Sequence, residues 1–277
     1  MKVVRALVLT GYGLNCDYET GYALETAGAH SRRVHINELI KGDRIGSREV
    51  LEDYHILVFD GGFSWGDDHG AGVLLANRLR FTIGDQIERF IADGKLIIGI
   101  CNGFQALVNL GLLPGFDGDY HSRKVALTGN DCGNFRDDWV HLQTAETRSF
   151  FATGIDRIEL PIRHGEGKFF AEEGVLKRLF DEKLVVFQYA DPDGAPAQGR
   201  FPLNPNGSLR DIAGICDPTG RILGMMPHPE AFNHITNHPD WTRKKEELKR
   251  RGSSLSEEGG GIKIFRNAVE YVTGMLL

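Results

Sequence analysis

The chain has 277 residues, 41% hydrophobic and 25% charged, with a net charge of −6. That length supports a sizeable core, and the composition is ordinary for a globular protein. The acidic balance offers no electrostatic footprint for nucleic acid or an anionic membrane. No apolar run nears the roughly 18 residues of a spanning helix. The four cysteines (Cys16, Cys101, Cys132, Cys216) are widely spaced without a C-x-x-C. This points to a reduced, cytoplasmic protein with neither a disulfide framework nor a zinc site.

Taken in order, residues 3–9 of MKVVRALVLTGYG read as a buried strand closed by Gly11 and Gly13, and as no signal peptide. Asp17 is placed to cap a helix running to about Ala27 and stopped by Gly28. Residues 31–36 read as a strand, 47–53 as a short helix and 55–60 as a buried strand. A Gly-rich polar loop, GGFSWGDDHGAG, comes next, then a long amphipathic helix over 73–92 and a β-branched strand over 95–100. After Cys101, Phe104, Leu107, Val108 and Leu110 recur at helical spacing, with Pro114-Gly115 as the stop. This βαβαβα pattern predicts an α/β fold with a doubly wound, mostly parallel sheet. Sites in such sheets lie at the C-terminal strand ends, where both Cys101 and the GGFSWGD loop fall.

Beyond residue 116 the elements shorten. Strands are expected over 139–143, 157–161, 184–189, 212–216 and 221–224, separated by the turn sequences DPDG, NPNGS and DPTG. They read as an added antiparallel layer of the same domain, so 1–277 forms one domain. Residues 232–260 are polar and highly charged and read as a solvated surface insertion. A last amphipathic helix spans 262–277.

The chemistry begins at Gly99-Ile-Cys101-Asn-Gly103. A strand that turns at once into a helix, with glycines two residues either side, is the geometry of a nucleophile elbow. The helix N-terminus favours a thiolate, and the Asn102 N–H points where an oxyanion would form. Downstream, GMMPHPE places His228 and Glu230 two residues apart, on one side of an extended segment. The carboxylate can then orient the imidazole, and the imidazole can take the cysteine proton. Gly61 and Gly62 would let the backbone approach a substrate and complete an oxyanion hole. Together these residues describe acyl transfer at Cys101.

These stretches resemble the class I (triad) glutamine amidotransferases, which have a flavodoxin-like fold. Within that class the chain is similar to the glutaminase subunits of phosphoribosylformylglycinamidine synthase. The narrower likeness rests on Asn15-Cys16-Asp17, GGFSWGD, PIRHGEGK, NPNGS and the closing GGIKIFRNAVEYV. It implies hydrolysis of L-glutamine by Cys101, His228 and Glu230. The ammonia would pass to a large synthetase subunit acting on formylglycinamide ribonucleotide, with room for a small third subunit. No cofactor is implied in this chain; ATP and Mg are expected in the synthetase subunit. Gly62, Phe63, Ser64 and Gln105 should help hold the substrate, and His164, Gly165 and Glu166 should line the same pocket.

Departures from the family pattern spare the catalytic groups. Asp60 stands in place of Pro, Trp65 in place of Tyr and Ala231 in place of Arg. The 232–260 segment is longer than the usual connection and is expected to bear on partner docking. His234 and His238 stand at i and i+4, without an evident third metal ligand. Three other readings compete: an amidotransferase serving another synthetase, a catalytically silent regulatory subunit, and a cysteine hydrolase or chaperone of related fold. The HGEGK and NPNGS stretches disfavour the first, the intact triad the second, and the late H-P-E the third.

Overall fold

The aliphatic runs of the sequence become strands covered on both faces, as parallel sheets require. The structure, a computed structural model, describes residues 3–41, 51–254 and 256–277. In chain order it contains β1 (Arg5–Thr10), α1 (Asp17–Thr26), β2 (His30–His35), α2 (Ile36–Lys41), β3 (Ile56–Phe59), α3 (Val73–Ala92), β4 (Leu96–Ile100) and α4 (Asn102–Leu110). Next come β5 (Val125–Thr128), β6 (Arg136–Thr144), β7 (Arg157–His164), β8 (Lys168–Ala171), α5 (Glu173–Asp181) and β9 (Val185–Ala190). The chain closes with β10 (Ile212–Cys216), β11 (Ile222–Met225), α6 (Trp241–Arg250) and α7 (Ile262–Met275).

One sheet of nine strands runs β2-β1-β3-β4-β11-β10-β9-β6-β7. The half from β2 to β11 is parallel throughout, and β10, β9, β6 and β7 run antiparallel to their neighbours. The antiparallel part therefore extends the edge of the same sheet, while β5 and β8 form a separate ribbon. β3 and β4 are buried at every position. α1 packs with α7, and α3 with α4 and α2.

Several local expectations change. α4 ends at Gly111, which takes φ +80°, because only a residue without Cβ closes a helix cheaply in the left-handed region; Pro114 lies beyond the stop. Cys16 occupies the cap position of α1 and Asp17 is its first helical residue; the Asp17 carboxylate instead accepts from Arg33 at 2.9 Å. Of the helix expected over 47–53, residues 47–50 lie outside the described residues and Leu51–Asp53 is a single 3-10 turn. α2, directly after β2, carried no cap signal in the sequence.

The 232–260 segment is less free than its charge suggests. α6 has no buried residue, as expected of a solvated helix. Its base is packed, however: a Cβ on Gly261 would meet Pro229 O at 1.8 Å, and one on Gly259 would meet Phe232 O at 2.3 Å. The two histidines have separate tasks. His234 accepts from the Thr236 N–H, and buried His238 pairs with Glu159 at 2.9 Å.

The tight crossing of α4 over β3 sets the position of the elbow. A Cβ on Gly103 would meet the Phe59 carbonyl oxygen at 1.8 Å. Backbone cannot yield as a flexible side chain would, and overpacking of this kind costs about 3 kcal/mol. Gly103→Ala should therefore lower the midpoint of chemical unfolding by that equivalent; an unchanged midpoint would show that α4 can lift off β3 freely.

Candidate active site

β4 and β11 are parallel neighbours, with Met225 opposite Ile100. Both strands leave the sheet at the same edge, so the segments leading out of them meet there. Cys101 turns at φ +51°, ψ −107°, a left-handed backbone that a side chain rarely adopts. Its N–H is held by Met225 O at 2.8 Å. The flanking glycine is needed: a Cβ on Gly99 would meet Leu107 at 2.6 Å and the Gly103 backbone at 2.8 Å.

His228 lies just beyond β11, fastened by its N–H to Pro161 O at 2.8 Å. Its Nδ1 lies 2.6 Å from Glu230 Oε1. This pairing arises differently from the expectation. Pro229 is helical (φ −66°, ψ −32°) and Glu230 begins a 3-10 turn, so the carboxylate curls back to the ring. Both side chains are buried. A carboxylate on Nδ1 fixes the hydrogen there and leaves Nε2 as the base. Burial alone would push the imidazole down, but the Glu230 charge and the nearby Cys101 thiol outweigh it and push it up. Nε2 itself makes no hydrogen bond among the described residues. The Cys101 thiol donates instead to the Arg163 carbonyl at 3.6 Å.

A cavity of about 140 Å³ opens over Cys101, small beside the several hundred Å³ of drug-sized sites. It is lined by Gly62, Phe63, Gln105, His164, Gly165 and Glu166, and also by Asp67, Phe135 and Arg163. Ser64 and Asn102 do not line it. Buried Asn102 donates to Asp67 Oδ1 and Gln105 Oε1, each at 3.0 Å, and accepts from the Ser64 N–H at 3.3 Å. Both residues thus brace the wall. Gly62 takes φ +146°, and a Cβ there would meet Gly13 O at 2.4 Å.

Residues 3–272 match the CobB/CobQ-like glutamine amidotransferase domain. The chain belongs to this family. It is 45% identical over 273 residues to phosphoribosylformylglycinamidine synthase subunit PurQ of Methanococcus maripaludis, covering 98% of each chain. The corresponding PurQ of Dehalococcoides mccartyi is 45% identical over 272 residues, again with 98% of each chain covered. Among solved structures, PurLQS from Thermotoga maritima matches with a TM-score of 0.68 and 28% identity, over 98% of this chain and 100% of that one.

In this member of the amidotransferase family two of the distinctive motifs meet in space. Asn206 and Ser208 of NPNGS sit beneath the turn of HGEGK. Asn206 Nδ2 donates to Gly167 O at 2.8 Å, and Ser208 Oγ accepts from the Phe169 N–H at 2.9 Å. Asp67, Phe135 and Arg163 also line the cavity, unmarked by the sequence pattern; Asp67 closes GGFSWGD, and the backbone from Trp65 to Asp67 is left-handed throughout. Cys16 was not assigned a role, yet its Sγ lies 3.9 Å from His228 Nδ1. Cys16, His228 and Glu230 bring their ligand atoms within 4.8 Å of one another, but the 2.6 Å imidazole–carboxylate bond holds a proton where a metal would sit. Burial pushes the Cys16 thiol up to about 12, so it stays neutral beside the histidine.

Asp60 is fully buried, and neither carboxyl oxygen has a hydrogen-bond partner among the described residues. Burial first, then the charges of Asp17 and Glu230, push its carboxyl well above the usual range. The folded chain therefore keeps a proton there that the unfolded chain releases above about pH 4. Stability is lost as pH rises from that point toward the folded pKa, by at most about 1.4 kcal/mol per pH unit. Asp60→Asn, which mimics the protonated acid, should melt higher than wild type at pH 7 to 8, with the gap closing near pH 4. A constant gap across that range would show that Asp60 is not protonated in the fold.

Proposed function

We infer that this chain is the glutaminase subunit of phosphoribosylformylglycinamidine synthase. It hydrolyses L-glutamine to glutamate and ammonia and supplies the ammonia to an ATP-dependent synthetase subunit. That subunit converts formylglycinamide ribonucleotide to formylglycinamidine ribonucleotide. The observation that carries the reading is the meeting of Cys101 with the His228–Glu230 pair at one strand edge, in a chain alike over its whole length to PurQ subunits.

The ammonium group of glutamine needs negative partners, and the cavity offers Asp67 and Glu166. Gln105, Gly62, Phe63, His164 and Gly165 complete the wall. His228 Nε2 takes the thiol proton, and the sulfur attacks the carboxamide carbon. The N–H groups of Asn102 and Gly62 meet the oxyanion of the tetrahedral intermediate. His228 returns the proton to the leaving nitrogen, releasing ammonia and a thioester. Water, deprotonated by His228, cleaves the thioester to glutamate and restores the thiol. Glu230 holds the imidazole in the tautomer that permits both transfers.

The chain needs no cofactor for these steps; ATP and Mg belong to the synthetase subunit, and the assembly leaves room for a small third subunit. Its place is the cytoplasm, where purine synthesis would draw on it; among the described residues no helix is long and apolar enough to cross a membrane.

Glutamate release is measured for the chain alone, then with the synthetase subunit, ATP, Mg and formylglycinamide ribonucleotide. A strong rise with the full mixture is expected; indifference to it would assign the site to a different synthetase. Cys101→Ala should abolish release, His228→Ala should lose about 10³-fold or more, and Glu230→Ala less. An electrophilic glutamine analogue should label Cys101 and spare Cys16, Cys132 and Cys216; burial pushes the thiols of Cys16 and Cys216 up to about 12.

A further inference from the structure

One side chain holds the cavity wall at 164–167 from behind. Asn130 stands two residues past β5 and is buried. Its backbone N–H donates to Gly165 O at 2.9 Å. Its Nδ2 donates to His164 O at 2.9 Å and to Asn134 O at 3.0 Å. Its Oδ1 accepts from the Gly167 N–H at 3.0 Å and lies 3.1 Å from His164 Nδ1. Asn130 does not itself line the cavity.

These partners settle which end of the amide is oxygen. Reversed, the NH₂ would face the Gly167 N–H and the oxygen would face two carbonyls. With Oδ1 fixed as an acceptor, His164 Nδ1 must carry its hydrogen. The ring is then the neutral Nδ1–H tautomer with a bare Nε2. Burial, then the charge of His228, keeps it unprotonated, down to about 3. Nε2 is buried without a hydrogen-bond partner among the described residues.

We propose that Asn130 is a positioning residue for the glutaminase reaction, which clamps both ends of the 164–167 turn and dictates the tautomer of His164. This rests on the glutaminase reading of the cavity. The groups it places are those that meet the site. The Arg163 carbonyl accepts the Cys101 thiol, the Glu166 carbonyl accepts from Gln105 Nε2, and Glu166 Oε2 accepts from the Ala71 N–H at 3.4 Å. Without the side chain, the Gly167 N–H loses its acceptor and the imidazole is free to take either tautomer.

The test joins nitrogen NMR of the labelled histidines with steady-state kinetics of the chain in complex with its synthetase subunit. Wild type should show the His164 hydrogen on Nδ1; a hydrogen on Nε2 overturns the proposal with no variant and no substrate. Asn130→Ala should raise KM for glutamine roughly tenfold, the loss expected for buried hydrogen bonds to a substrate wall, with a smaller change in kcat and mixed tautomers at His164. Asn130→Asp keeps the acceptor and loses the donor, so it should retain the Nδ1 hydrogen and recover part of the KM. A lower melting temperature in both variants, with KM and the tautomer unchanged, assigns Asn130 to the fold alone and overturns the proposal. Absence of glutamine hydrolysis in wild type falls on the glutaminase reading instead, because the tautomer is read without substrate.

Discussion

The pairing of β4 with β11 is the constraint on which the site depends. Parallel strands in register leave the sheet at the same edge, so the residues after Ile100 and after Met225 meet whatever lies between them in the chain. The bond from the Cys101 N–H to Met225 O ties the elbow directly to the strand that delivers the histidine. The close approach of Gly103 to Phe59 O then fixes the height of α4 above β3, and with it the position of the first turn of α4 beside Cys101.

The antiparallel half supplies the opposite wall. Three strands separate β11 from β7 in the sheet order, yet Pro161 O in β7 accepts from the His228 N–H and Arg163 O accepts from the Cys101 thiol. The sheet therefore curls until its far strand returns to the site. β7 continues into the 164–167 turn, so one strand orients the histidine backbone, holds the resting thiol and carries part of the pocket. What reads in the sequence as an added layer forms part of the wall of the cavity over Cys101.

Much of this was legible because its causes are local. A β-branched run, a cysteine flanked by glycines and an amphipathic helix specify the elbow within a dozen residues, and α3 spans the residues expected of it. The His228–Glu230 pair was legible as chemistry but not as conformation, since Pro229 permits helical as well as extended backbone. Phe135 and Arg163 were not legible as neighbours of Cys101, because only the curl of the sheet brings β6 and β7 to the parallel half, whereas Asp67 closes a loop that the strand order already places beside Cys101. The bond between Asn206 and Gly167 likewise crosses elements that share no local pattern. The sequence marked NPNGS and HGEGK as distinctive, while the reason they belong together is three-dimensional.

The charged 232–260 segment is drawn into the same geometry. Glu159 of β7 receives Lys244 of α6 at 2.6 Å and His238 at 2.9 Å. Burial opposes the Glu159 charge, but the bonds from Lys244 and His238 outweigh it and hold the carboxyl below its usual range. Trp139 packs edge-on against Phe232 with ring centroids 5.0 Å apart, beneath the same segment. The solvated helix is thus anchored to the outer part of β7, two residues before Pro161 and four before Arg163. This exposed segment is thereby joined, through one strand, to the carbonyl that accepts from the Cys101 thiol. Surface charge alone would place this segment apart from the sheet; Glu159 ties it to the strand that also carries Pro161 and Arg163.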